Sequence, residues 1–257
     1  MGQKTKLEVI IYKEDVFLAN PNQFSYSNAA KDSVMFGKNA FEEGNFEKAI
    51  LYYDHAFKTA QGLPIETVDL KAKCYNLLAL KCSLNGNKFL ALTHSRKETD
   101  LVEHYCDRLI EAFNSIKPPE EKDLVFDLLL NGAEHFAIAK FELAKNLIAG
   151  SQSYMPESIY QVSSALKLVN DLIKDNHASC FLLYQSVESL IYFGDILSTK
   201  ERKISKYYYK TASSYINLMI PDKDFNLLNQ VKSVFNINLL KERLTNSLSF
   251  MEKRRAA

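Results

Sequence analysis

The chain has 257 residues, a formal net charge of +1, an apolar fraction of 47% and a charged fraction of 25%. These values are typical of one large or two small folded domains, and they give no overall preference for nucleic acid or for an acidic partner. Glycine and proline are scarce, with 8 and 6 residues, which argues against a β fold with many turns.

The first 26 residues differ from the rest of the chain. The segment Leu7–Tyr12 has strand-like residues, and Asn20, Pro21 and Asn22 predict a loop after it. We therefore interpret residues 1–26 as an extended N-terminal arm and residues 27–257 as a helical domain.

From Ser27 onward, apolar side chains recur at helical spacing and are separated by turn residues. Ser27 is a suitable N-cap for the first helix, Gly44 and Gly86 mark turns, and Pro118 ends the fourth helix. These signals predict nine helices in antiparallel hairpins, at about residues 28–43, 46–61, 65–85, 88–115, 120–149, 157–175, 178–199, 201–220 and 225–254.

The two turn glycines belong to an internal repeat. Gly44 and Gly86 are 42 residues apart, and small or aliphatic residues recur at fixed distances from each of them. The recurring pairs are Gly37 and Ala79, Ala49 and Ala91, and Ile50 and Leu92. Small residues at these points allow two helices to approach closely.

This pattern resembles the tetratricopeptide repeat (TPR), strongly over residues 31–60, moderately over residues 72–98 and weakly beyond residue 120. The matching residues of the first unit are Phe36, Gly37, Gly44, Phe46, Ala49, Ile50, Tyr53, Ala56 and Phe57. Those of the second unit are Tyr75, Leu78, Ala79, Gly86, Ala91 and Leu92. Glu98 stands where a second small residue would complete that unit.

The resemblance implies an all-α fold, namely a right-handed solenoid of antiparallel helical hairpins. Two recognisable repeats would occupy residues 27–117, and divergent hairpins would occupy residues 118–257. The last helix carries an apolar stripe, which either caps the array or recruits a partner helix.

By the same resemblance, the first helix of each pair lines a concave groove. The expected groove residues are Lys31, Val34, Lys38, Phe41 and Glu42 in the first repeat, and Lys73, Asn76, Leu80, Ser83 and Leu84 in the second. Their lysines form a basic patch, and Asn76 is expected to pair with a peptide backbone. We therefore expect an adaptor or scaffold subunit that binds another protein through an extended or helical acidic peptide. The alternative is that these lysines are simply solvated.

A second basic patch gives a rival function. Lys203, Lys206 and Lys210 share one helix face, and Tyr207, Tyr208 and Tyr209 lie among them. Basic residues interleaved with aromatic residues contact phosphates and stack on bases, which indicates an RNA-binding or RNA-processing factor. The alternative is that the tyrosines pack between helices while the lysines face water.

Signals of catalysis are weak. The five histidines show no zinc-ligand spacing, the four cysteines form no CxxC pair, and no phosphate-binding glycine loop is present. We expect no enzyme activity, metal or cofactor. The longest apolar tract, residues 179–193, is interrupted by Gln185 and Glu188, so we expect no membrane span. We expect a cytoplasmic protein, with the nucleus as the alternative.

Overall fold

The computed structural model describes residues 8–12, 15–19, 28–60, 65–115, 119–219 and 236–256. The chain divides into two compact units, residues 1–159 and residues 160–257. The helices of the first unit are α1 (Asn28–Glu42), α2 (Phe46–Ala60), α3 (Ile65–Leu84), α4 (Lys88–Ser115) and α5 (Pro119–Gly150). A short 3-10 helix (Gln152–Tyr154) leads into α6 (Met155–Lys174), which contains the boundary between the units. The second unit continues with α7 (Cys180–Leu197), α8 (Arg202–Leu218) and α9 (Ile237–Ala256).

The prediction of a helical protein is confirmed from Asn28 onward within the described ranges, and most helix ends lie close to the predicted ones. Helix α5 begins with Pro119 itself, because the first helical position needs no backbone N–H donor. Helix α9 begins after Asn236, whose Oδ1 accepts a hydrogen bond from the Leu239 N–H at 3.0 Å. The predicted N-cap Ser27 and residues 225–235 of the predicted last helix lie outside the described residues.

The described part of the N-terminal arm is a β-hairpin. Strand β1 (Glu8–Tyr12) pairs antiparallel with β2 (Asp15–Ala19), and Ile10 lies opposite Phe17. Strand β2 also lies next to α3. The expectation of a simple extended arm missed this second strand, because a five-residue strand gives only a short sequence signal.

The turns after α1 and α3 have the same backbone. Gly44 and Gly86 have φ angles of +74° and +75°, a left-handed conformation that favours glycine. In each turn, the N–H groups of the glycine and of the following asparagine donate to carbonyls of the preceding helix at 2.8–3.0 Å. The asparagine side chain, from Asn45 or Asn87, then accepts a backbone N–H of the next helix at 3.3 or 3.2 Å. A Gly-Asn pair therefore ends one helix and begins the next in both hairpins.

Helices α1 and α2 approach most closely at Gly37. A Cβ atom added to Gly37 would lie 2.3 Å from the ring of Tyr53, so this position accepts only glycine without rearrangement. Tyr53 is fully buried, as are Ala49 and Ala56 on the same helix. Cys74 of α3 packs into the same cluster, so the first three helices share one core.

The core of the first unit continues between α3, α4 and α5. Its buried residues include Ala72, Val102, Cys106, Leu92, Leu143 and Leu147. A side-chain hydrogen bond crosses the same interface, where Asn146 Nδ2 donates to Ser95 Oγ at 2.7 Å. Burial of these apolar side chains holds α3, α4 and α5 together.

The hairpin α7–α8 of the second unit uses the same close approach as α1–α2. A Cβ atom added to Gly194 would lie 2.4 Å from the ring of Tyr209. Ser205 and Ala212, four residues before and three residues after Tyr209, are fully buried. They match the positions of Ala49 and Ala56 around Tyr53. Helix α9 packs against both α7 and α8 and buries Leu240 and Leu244.

Candidate partner-binding surface

Residues 42 positions apart make corresponding contacts in the hairpins α1–α2 and α3–α4. Ser33 Oγ lies 2.9 Å from Nδ1 of His55, which joins α1 to α2. The residues 42 positions later, Tyr75 and Lys97, also face each other, with Lys97 Nζ 5.8 Å from the centre of the Tyr75 ring. These two contacts therefore join corresponding positions of the two hairpins.

The predicted groove residues have different environments. Lys73, Leu80 and Ser83 are exposed, whereas Lys38, Phe41 and Asn76 are half-buried. Val34 is only 8% exposed, so the expectation that it lines an open groove is corrected to a place in the core. The side chain of Lys31 lies outside the described residues.

Asn76 is engaged within the protein. Its Nδ2 donates to both carboxylate oxygens of Glu98, at 3.2 and 3.1 Å, and His135 Nε2 lies 3.5 Å from Glu98 Oε1. Glu98 is 1% exposed, so these contacts replace the water that the carboxylate loses on burial. The Nδ2 group of Asn76 is therefore held by Glu98, and the pairing of its amide with a peptide backbone stays a prediction.

The same comparison explains why Glu98 interrupts the pattern of small residues. Its counterpart in the first hairpin is Ala56, and the counterpart of Asn76 is Val34. Both counterparts are buried. One hairpin therefore fills these two positions with apolar side chains, and the other fills them with a hydrogen-bonded polar pair.

Four exposed apolar side chains flank the turn between α3 and α4, and we call them the apolar flank: Leu80, Leu84, Phe89 and Leu90. Leu84 is 79% exposed and Phe89 is 77% exposed, values that are unusual for such large apolar residues. The sequence analysis placed Leu80 and Leu84 in the expected groove but did not include Phe89 or Leu90.

The signal for Phe89 and Leu90 was present in the internal repeat. The counterparts of the apolar flank in the first hairpin are the charged residues Lys38, Glu42, Glu47 and Lys48. A residue-by-residue comparison of the repeats therefore identifies a cluster that composition alone does not reveal.

The apolar flank lies in a cationic stretch. Residues 70–97 contain six Lys or Arg residues and no Asp or Glu. Lys71 is paired with Asp54, and Arg96 Nη2 binds the two carboxylate oxygens of Glu157 at 2.8 and 3.1 Å. Lys81 and Lys88 are exposed on either side of the turn.

The structure also brings the second predicted patch together. Lys203, Lys206, Tyr207 and Lys210 are all exposed on α8, and this helix carries no carboxylate. The two neighbouring tyrosines, Tyr208 and Tyr209, are buried. Burial raises the pKa of Tyr209, and its hydroxyl donates to Asp195 Oδ1 at 2.6 Å. Only one aromatic ring of the patch thus remains available for stacking on a base.

The cysteines are poorly suited to nucleophilic chemistry. All four thiols are free, and Cys74 and Cys106 are buried. Burial raises the pKa of each buried thiol to about 12, which keeps it protonated at neutral pH. Across the described ranges, no group of three or more His, Cys, Asp or Glu side chains is arranged to hold a metal ion.

Among the helices of the described residues, none is both long enough and apolar enough to cross a membrane. In comparisons with known proteins, no protein-family model and no curated protein matches this chain.

Proposed function

We propose that this chain is an adaptor or scaffold subunit built from TPR-like helical hairpins stacked as a solenoid. Its first two hairpins, α1–α2 and α3–α4, bind another protein that presents a peptide or a helix. Lys38, Phe41, Lys73, Leu80 and Ser83 supply the surface of this site, because these members of the expected groove remain at least partly exposed.

The observation that carries the proposal is the concentration of exposed apolar side chains on these hairpins. The described residues expose 15 large apolar side chains, and seven of them lie between Met35 and Leu90. Contiguous apolar surface with a polar rim is typical of sites that bind other proteins. Lys38 and Lys73 give this surface a cationic character that suits an acidic peptide.

A second candidate function is RNA binding through α8. It is favoured by the single exposed face that contains Lys203, Lys206, Tyr207 and Lys210. Three lysines on one face attract phosphates, and Tyr207 offers a surface for one base. This candidate ranks second because the patch has one exposed aromatic ring.

Affinity capture from the cells that make this protein, followed by mass spectrometry, tests both candidates. The wild-type chain is compared with Lys38→Glu/Lys73→Glu and with the matched α8 variant Lys203→Glu/Lys206→Glu, after thermal unfolding has shown that all three fold. A protein lost only with the Lys38/Lys73 variant supports the proposal. The proposal is contradicted if the captured proteins are the same for all three chains and are retained after nuclease treatment. If the captured proteins are released by nuclease and are lost only with the α8 variant, the RNA-binding alternative is established.

A further inference from the structure

The apolar flank is not needed to form the turn that it surrounds. The turns at Gly44 and Gly86 have the same φ angles and the same hydrogen bonds. The first hairpin forms its turn with charged residues at all four counterpart positions. Leu84 and Phe89 therefore expose apolar area to water without a requirement from the local fold, and exposure of this kind marks an interaction site.

The charge around the apolar flank indicates what covers it. Residues 70–97 contain six cations and no acid, whereas the corresponding residues 28–55 of the first hairpin contain three cations and five acids. Among the described residues, no carboxylate pairs with Lys81 or Lys88. A partner that buries the apolar flank brings its own charges close to these two ammonium groups, and acidic charges are the favourable ones.

We propose that the apolar flank is the docking site for an acidic amphipathic segment of a partner protein, an inference that rests on the proposed function above. Leu80, Leu84 and Phe89 contact the apolar face of that segment. Lys81 and Lys88 contact its carboxylates. Leu80 and Leu84 are four residues apart on α3, so they present one row of side chains to a partner helix.

Two other occupants fit less well. A second copy docked flank to flank would bring Lys81 and Lys88 against the same residues of its neighbour, and like charges at close range are unfavourable. Insertion into a bilayer would also bury the exposed turn residues Asn85 and Asn87, and burial of amides without hydrogen-bond partners costs about 1–3 kcal/mol each. An acidic protein segment covers the flank while the turn stays in water.

Peptide-display selection with a random library against the full chain tests the chemical class of the partner. The variant Leu84→Glu/Phe89→Glu is the test chain, because it installs the residues that the first hairpin carries at these positions. Leu239→Glu is the matched control, since Leu239 is an exposed leucine of α9 outside the first two hairpins. Peptides selected on the wild-type chain are then measured by fluorescence anisotropy against the wild type, these two variants and Lys81→Glu/Lys88→Glu.

We expect the selected peptides to have net negative charge and Leu or Phe at helical spacing. Their affinity should fall at least about tenfold for Leu84→Glu/Phe89→Glu and stay unchanged for Leu239→Glu. The affinity of the peptides for Lys81→Glu/Lys88→Glu should also be lower than for wild type. This difference should grow as the salt concentration is lowered, because the repulsion between carboxylates is then less screened. A neutral or basic consensus, or equal binding to Leu84→Glu/Phe89→Glu, overturns the inference.

Two further measurements separate the rival occupants. Sedimentation with vesicles of phosphatidylcholine and phosphatidylserine overturns the inference if wild type binds them and Leu84→Glu/Phe89→Glu does not. A dimer in analytical ultracentrifugation that this variant abolishes also overturns it, in favour of a second copy. If the captured partner is lost with Lys38→Glu/Lys73→Glu but retained by Leu84→Glu/Phe89→Glu, the inference fails while the proposed function stands.

Discussion

The hairpins α1–α2 and α3–α4 share one turn geometry but place different side chains at corresponding positions. Val34 and Ala56 of the first hairpin correspond to the hydrogen-bonded pair Asn76 and Glu98 of the second. At the turns the contrast is reversed, because the first hairpin is charged there and the second is apolar. The second hairpin thus has a polar pair in its interior and apolar side chains on its surface, whereas the first hairpin has apolar side chains inside and charged ones at its turn.

This comparison distinguishes the residues that both hairpins use to form the turn from the side chains that are found in only one of them. Both copies keep a glycine with positive φ and a capping asparagine, so these residues serve the backbone. In the second hairpin a third helix contributes to the buried polar pair, since His135 belongs to α5. The exposed apolar flank has no such structural role, which is the basis of the proposal that it docks a partner.

The largest effect on stability is expected when the residue type of Glu98 in the second hairpin is placed at the corresponding position 56 of the first. Ala56→Glu buries a carboxylate opposite Val34, where no counterpart of the Asn76 amide is present. An uncompensated buried charge should lower the free energy of unfolding by about 3–5 kcal/mol. Urea unfolding followed by circular dichroism measures this loss.

The double variant Val34→Asn/Ala56→Glu is the control for that substitution. It supplies the amide that Glu98 uses in the second hairpin, so part of the lost stability should return. If Ala56→Glu unfolds at the same urea concentration as wild type, position 56 is not the closed site that its burial indicates.

The next largest effect is expected at the close approach of α1 and α2. In a helix interior, Gly→Ala normally stabilises by about 1 kcal/mol. Gly37→Ala should instead destabilise by about 3 kcal/mol, because the new methyl group would lie 2.3 Å from the Tyr53 ring. Thermal unfolding gives the sign directly, and Gly194→Ala, which meets Tyr209 at 2.4 Å, should behave alike. Stabilisation by either substitution would contradict the packing described for that hairpin.

A double-mutant cycle on Asn76 and Glu98 should reveal a smaller coupled effect. Glu98→Ala leaves the Asn76 amide without its acceptor, and Asn76→Val leaves the buried carboxylate with His135 alone. Each single substitution should cost about 2 kcal/mol. The double variant Asn76→Val/Glu98→Ala, which imitates the first hairpin, should cost less than the sum of the two. Additive costs, measured by urea unfolding, would mean that the two side chains do not interact.

The comparison also shows which features the sequence could predict. Helices and turns were predictable because apolar spacing and the Gly-Asn pairs act over a few neighbouring residues. The pairing of Glu98 with His135 was not, because the two residues are 37 positions apart and only the tertiary fold brings them together. The close approach of Gly194 to Tyr209 was also not predicted, since Ser205 replaces the expected alanine and the glycine lies one residue closer to its tyrosine than Gly37 does to Tyr53.

The smallest effect is expected at the turn glycines, where no neighbouring atom restricts a side chain. A Cβ atom added to Gly44 or Gly86 meets nothing within 4 Å, so only the positive φ angle opposes substitution. Gly44→Ala and Gly86→Ala should each cost about 1 kcal/mol, and equally, because the two turns share one geometry. Asparagine should cost less, since Asn176 at the end of α6 adopts a φ of 60° and makes the same pair of backbone hydrogen bonds, at 3.1 and 2.8 Å. Thermal unfolding of the four single variants measures this order, and a cost for asparagine equal to that for alanine would mean that φ is not the determining factor.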